Sequence, residues 1–188
     1  MGFRINEDKA KVSLRYNDCH ECGASIIGDR WVLTAAHCVF IDFVNVSTVL
    51  YGTRDIQNCQ AVRGHTMKVK KAYVNTEYQP YGGYFNDIAV VEMEEPFEFN
   101  ENVKAVELPK QGAISPILED ALLVGWGYPY VNGTVATTLQ KGDSGGALTV
   151  DGVQYGIVSW SDKPCATTPG VLTRVASFRN WIGNITGI

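Results

Sequence analysis

Thr34-Ala35-Ala36-His37-Cys38, Asn86-Asp87-Ile88-Ala89 and Gly142-Asp143-Ser144-Gly145-Gly146 follow one another in this order along the chain. They set His37, Asp87 and Ser144 beside apolar or glycine-rich runs, and these three residue types suit one chemistry. A serine hydroxyl is a poor nucleophile at neutral pH and needs a base within hydrogen-bond reach. Histidine suits that role because its unperturbed pKa, about 6.5, leaves it largely neutral yet readily protonated. A buried carboxylate then holds the imidazole in the useful tautomer and stabilises the imidazolium. Each string also has a plain structural reading: His37 as a packed residue, Asp87 as a turn residue, the glycine-rich string as a tight loop. Their joint occurrence, in the order His, Asp, Ser, makes those separate readings the weaker account.

Outside these strings the chain is ordinary. It has 188 residues, 45% hydrophobic and 19% charged, which suits one compact unit or two small packed ones. A net charge of −4 without a lysine- or arginine-rich run argues against nucleic acid as a partner. No apolar run reaches the length of a membrane span, so no membrane partner is expected. Residues 1–10 carry Arg4, Glu7, Asp8 and Lys9 and no apolar core, so they do not read as a signal peptide. Asn45-Val46-Ser47, Asn132-Gly133-Thr134 and Asn184-Ile185-Thr186 are glycosylation triplets and give mild support for secretion. A chain that has lost its natural N-terminus, or a variant transcript, reconciles the two signals. Five cysteines (Cys19, Cys22, Cys38, Cys59, Cys165) leave at least one unpaired within a monomer.

Short β-like runs dominate. Residues 12–16, 31–35, 68–74, 88–91, 122–126, 156–160 and 171–175 are apolar or alternating and are bounded by Gly, Pro, Asn and Asp. With 19 glycines, they indicate an all-β sandwich or barrel. Residues 12–16 alternate apolar and polar, as a strand does. Phe178, Trp181, Ile182 and Ile185 recur at helical spacing and predict a packing helix near the C-terminus, with Ser177 as its N-cap. Val103 to Pro116, with Pro109 and Gly112, is the expected linker between residues 1–105 and 106–188.

The three strings in order, Cys38 directly after His37, and Gly125-Trp126-Gly127 together resemble the chymotrypsin/trypsin family of serine proteases, over roughly Val12 to Ile185. The resemblance implies two packed antiparallel β-barrels, the first carrying His37 and Asp87, the second carrying Ser144, followed by a C-terminal helix. It implies a serine endopeptidase that acts through an acyl-enzyme: Ser144 as nucleophile, His37 as general base, Asp87 as orienting carboxylate. The amides of Gly142 and Ser144 would form the oxyanion hole, where losing one donor typically costs about 10²–10³ in rate. Asp143 would pair with an N-terminal ammonium freed by activation cleavage. Ser159 would support Asp87, and Ser159, Trp160, Ser161 and Gly170 would line the substrate. Cys22 would bridge to Cys38. Protein or peptide substrates and protein protease inhibitors are the expected partners of an extracellular monomer. No cofactor or metal is implied.

The other polar residues give weaker signals. Cys19-His20-Glu21-Cys22 also admits a zinc or redox reading, though no second Cys/His pair at finger spacing exists. A Cys19–Cys59 bridge stays open, and His65 reads as a surface residue.

The chain departs from the family in three places. His37 and Asp87 are 50 positions apart, near the roughly 45 of the chymotrypsin template. Asp87 and Ser144 are 57 apart, against roughly 93 there. The shortfall falls between Thr138-Leu139-Gln140 and Lys141, so the second barrel is expected to be incomplete and one wall of the specificity pocket lost. A gapless count would put Thr138 at the pocket base. Cys165 loses its family partner, because Gln140 stands at that position. Finally, no Ile-Val-Gly-Gly string is present, and only Arg4-Ile5 offers a cleavage bond. These departures keep open a catalytically inactive homologue that binds or regulates a partner, or a chain that does not fold stably.

Overall fold

The run of β-branched and aliphatic residues in each short segment favours extended chain, and the turns between them come from residues that tolerate positive φ. Asn17 (φ 47°) and Asp18 (φ 64°) make one such turn, closing the hairpin between β1 (Lys11–Tyr16) and β2 (Cys19–Ile26). The computed structural model describes residues 9–39, 42–56, 59–60, 65–116, 121–127, 143–161 and 170–188, and the backbone of 140–141. With β3 (Trp31–Thr34), β4 (Ser47–Tyr51), β5 (Thr66–Val74) and β6 (Ala89–Met93), the first hairpin closes an antiparallel barrel in the order β1-β2-β3-β6-β5-β4. Val12, Leu14, Ile26, Val32, Val49 and Val91 are buried in its core. Each such side chain contributes about 1.5–3 kcal/mol.

β7 (Leu122–Gly125), β8 (Gln140–Lys141), β9 (Ala147–Val150), β10 (Val153–Trp160) and β11 (Val171–Arg174) form a second antiparallel sheet in the order β11-β10-β9-β7-β8. Among the described residues this sheet is open, with β8 only two residues long. The mostly β architecture with a C-terminal helix is the expected one. A short helix, α1 (Phe43–Val46), precedes β4, and α2 (Arg179–Thr186) closes the chain. Phe178, Trp181 and Ile185 pack on the core, and Ile182 is buried in it.

One expectation changes. Ser177 is not the N-cap of α2. It ends a tight 3-10 turn, Val175–Ser177, and Phe178 stands at the cap position. The helix N-terminus is met instead by Gln111, whose Oε1 accepts from Asn180 N at 2.9 Å while its Nε2 donates to Ser177 O at 3.1 Å. β1 is buried on both faces. Its polar residues Lys11, Ser13 and Arg15 are as buried as its apolar ones. The second sheet and the 59–60 segment cover that face: Lys11 Nζ donates to Ala147 O at 2.7 Å, and Arg15 to Gln60 O at 2.9 Å. Burial pushes the Arg15 guanidinium below its usual pKa, although Asp18 opposes the shift.

Candidate active site

His37 lies in a single 3-10 turn, Ala36–Cys38, between buried Ala36 and Cys38 at the end of β3. Cys38 is bonded to Cys22 on β2, which ties this turn to the neighbouring strand. The Sγ atoms of that pair and a ring nitrogen of His37 lie within 4.8 Å of one another. Both sulfurs are committed to the disulfide, so the grouping is not a metal site.

Asp87 sits just before β6 and is fully buried. The loop before it is folded by its own side chains. Asn75 Oδ1 accepts from Glu77 N at 2.9 Å, and Asn86 Nδ2 donates to Glu77 O at 3.0 Å. Asn86, at φ 55°, then turns the chain inward. Three donors meet the Asp87 carboxylate. His37 Nδ1 donates to Oδ2 at 2.8 Å, His37 N to Oδ1 at 2.9 Å, and Ser159 Oγ to Oδ2. Burial pushes this carboxyl upward, but the hydrogen bonds from His37 and Ser159 and the charge interaction with His37 outweigh it and hold the pKa below the usual carboxylate range. Thr173 on β11 donates to the Asp87 carbonyl at 2.8 Å, so both sheets grip this residue. With Nδ1–H donating to the carboxylate, Nε2 of His37 keeps its lone pair for a proton. The ring is 21% exposed, open to a reacting partner.

Residues 143–146 are held between the two sheets. Gly23 N donates to Ser144 O at 2.7 Å, and Gly145 N to Val158 O at 2.8 Å. Gly145 takes φ 75°, and a Cβ there would lie 2.4 Å from Gly23 O and 3.1 Å from Cys38 Sγ, so only glycine fits. This contact brings the serine loop against the His37 turn. Ser144 is exposed, and among the described residues its hydroxyl makes no hydrogen bond to His37.

Asp143 is buried and meets His20. His20 Nε2 lies 3.2 Å from Oδ1 and 3.1 Å from Oδ2, while Nδ1 lies 2.8 Å from Ser13 Oγ. Trp126 N donates to Asp143 Oδ2 at 3.1 Å, and Trp126 Nε1 donates to Arg54 O. The carboxylate is closely enclosed: a Cβ on Gly125 would lie 2.1 Å from Asp143 Cβ, and one on Gly23 2.7 Å from Oδ2. His20 is therefore neither a zinc nor a redox residue here, and Cys19 of the same string pairs with Cys59. The sequence held a usable signal, since His20 and Cys22 are two apart on a strand and share its buried face, with Glu21 exposed between them.

The other expected residues divide. Ser159 turns to Asp87 rather than to the surface. Trp160 donates from Nε1 to Gly83 O at 3.1 Å, which pins the 75–86 loop beside the site. Ser161 and Gly170 are exposed neighbours: a Cβ on Gly170 would lie 3.9 Å from Ser161 Cβ. Gly142, Thr138, Cys165 and Arg4-Ile5 lie outside the described residues. Tyr84 and Tyr78 were not anticipated. The Tyr84 ring meets the His37 ring edge-on at 5.9 Å. Burial, Asp87 and Tyr84 push the Tyr78 hydroxyl up to about 12, so it stays protonated at any working pH. His65 is exposed, as its sequence context suggested.

The family model described as Trypsin matches residues 3–142 and 136–182. A protein named Trypsin from Phaedon cochleariae is 29% identical over 219 aligned positions, covering 95% of this chain and 83% of that one. Chymotrypsin-2 from Vespa crabro is 33% identical over 208, covering 92% and 91%. Both alignments run longer than this chain's 188 residues, so the relatives carry residues that it lacks. Among solved structures, human heparin binding protein superposes with a TM-score of 0.87 at 24% identity, covering all of this chain and 95% of that one. Mouse neuropsin, described as a serine protease, gives 0.81 at 23%, covering 97% and 96%. The chain belongs to the trypsin family of serine proteases.

Proposed function

We propose that this protein is a secreted serine endopeptidase in which Ser144 is the nucleophile, His37 its general base and Asp87 the orienting carboxylate. The observation that carries the reading is the His37–Asp87 pair at 2.8 Å, with a second bond from the His37 amide and a third from Ser159. That arrangement leaves Nε2 as the acceptor, as acyl transfer by serine requires. Residues 1–105 and 106–188 act as one peptidase unit, since the pair comes from the barrel and the nucleophile from the second sheet. The substrates are proteins or peptides, and Trp160, Ser161 and Gly170 form the edge on which a peptide lies. The described state is a resting one. Asp143 is drawn to His20, and an N-terminal ammonium that replaces His20 would reset residues 142–144, which supply the oxyanion amides.

A second reading is a homologue that binds or regulates a partner without turnover. The engaged Asp143 and the missing Ser144–His37 bond favour it, as does likeness to a fold that serves as a heparin binding protein. The net charge of −4 does not favour a polyanion as that partner. Intact mass after exposure to a fluorophosphonate, with Ser144→Ala as control, decides between the two. One adduct on the parent, formed slowly as a resting state requires, and none on the control is the expected result. Soluble, folded protein without an adduct overturns the peptidase reading for this form.

A further inference from the structure

Ser47 opens β4 and is only 4% exposed, yet its hydroxyl has no hydrogen-bond partner among the described residues. A buried hydroxyl without a partner costs free energy and supplies the fold with nothing that alanine would not. Two residues earlier, Asn45 lies on α1 with its side chain exposed. Among the described residues its carboxamide enters no hydrogen bond, and only its backbone N–H is used, donating to Asp42 O at 3.0 Å. Other asparagines of the chain are employed differently. Asn75, Asn86 and Asn100 each bond neighbouring backbone through their side chains and shape their loops. Thr186, the hydroxyl residue of the Asn184 triplet, donates to Ile182 O at 2.8 Å and so has a structural use in α2. Ser47 has none among the described residues. In an Asn-X-Ser triplet, the hydroxyl residue is the element an oligosaccharide transferase reads.

We propose that Asn45 is a site of N-linked glycosylation. The donor class is an oligosaccharide carried on a lipid pyrophosphate. Asn45 Nδ2 bonds to C1 of the reducing-end sugar and gives up one proton. The C1–O bond to the pyrophosphate breaks, and the lipid pyrophosphate leaves with that electron pair. Phe43 is 3% exposed and anchors α1, so the glycan projects from the barrel surface without disturbing the core. The proposal rests on passage through the secretory pathway and is independent of catalysis.

The full chain, placed behind a secretory leader in a eukaryotic host, tests this. Protein from the medium and from the membrane fraction is treated with peptide N-glycosidase in heavy-oxygen water, and its peptides are mapped by mass. The expected result is a heavy-oxygen aspartate at position 45, lost completely in Ser47→Ala. The deglycosylated Ser47→Ala protein should melt no lower than the deglycosylated parent, because the hydroxyl bonds to nothing among the described residues. Label confined to Asn132 or Asn184, or absent from all three, overturns the proposal. Since transfer precedes folding, the membrane fraction reports even if the chain is not released.

Discussion

Asp87 is the residue on which the site turns. Its carboxylate receives both the ring and the amide of His37, so Asp87→Asn disturbs the tautomer as well as the charge. The expected loss in fluorophosphonate labelling rate is on the order of 10⁴. Because the folded state holds Asp87 below its unfolded pKa of about 3.9, its contribution to stability is complete above that value. It is lost as the pH falls through the lowered folded value. Denaturant melts at a series of acid pH values should show the parent losing this contribution while Asp87→Asn does not. A parent and variant with the same acid profile would refute the pairing. His20 presents the complementary case. Removing it as His20→Ala leaves the buried Asp143 short of a donor, at a cost of about 1–3 kcal/mol by thermal melt. The same variant should raise fluorophosphonate labelling of Ser144 if His20 keeps the serine loop at rest.

At the scale of elements, α2 is held by contacts from outside itself. Gln111 bonds to both sides of its first turn, from 66 and 69 residues away. Gln111→Ala should lower stability by about 1 kcal/mol, the usual worth of a helix cap. Hydrogen exchange should show faster opening of 179–183 with the barrel amides unchanged, and uniform loss across the chain would contradict a local role. β1 teaches the same lesson from the sheet side. Its alternation correctly predicts a strand, but Lys11, Ser13 and Arg15 lie against the second sheet, His20 and residue 60. Period 2 reports which residues share a face, not what covers that face. β2 escaped the sequence reading, although buried His20 and Cys22 flank exposed Glu21 at its start.

For the whole molecule, two disulfides fasten parts of the barrel that the site depends on. Cys22–Cys38 closes a loop of 16 residues and Cys19–Cys59 one of 40, worth about 3 and 4 kcal/mol by loop entropy. Cys22→Ala with Cys38→Ala should lower the melting temperature by roughly 6–12 °C at 2–4 °C per kcal/mol. That double variant should also slow serine labelling, because the His37 turn loses its tie to β2. Loss of stability without any change in labelling would show that the bridge supports the fold alone.

The sequence by itself determined the identity and order of the His37, Asp87 and Ser144 strings, the predominance of short strands, and the terminal helix. These are local patterns, read within windows of a few residues. It also reads the span before Ser144 as short, and the alignments show that relatives carry residues this chain lacks. Tertiary structure alone decided what each buried polar group meets. His20 and Asp143 are 123 positions apart, and Ser159 and Asp87 are 72 apart. No local periodicity encodes such a pairing. It arises when two sheets close on each other, and every donor and acceptor caught in the seam needs a partner that water can no longer supply.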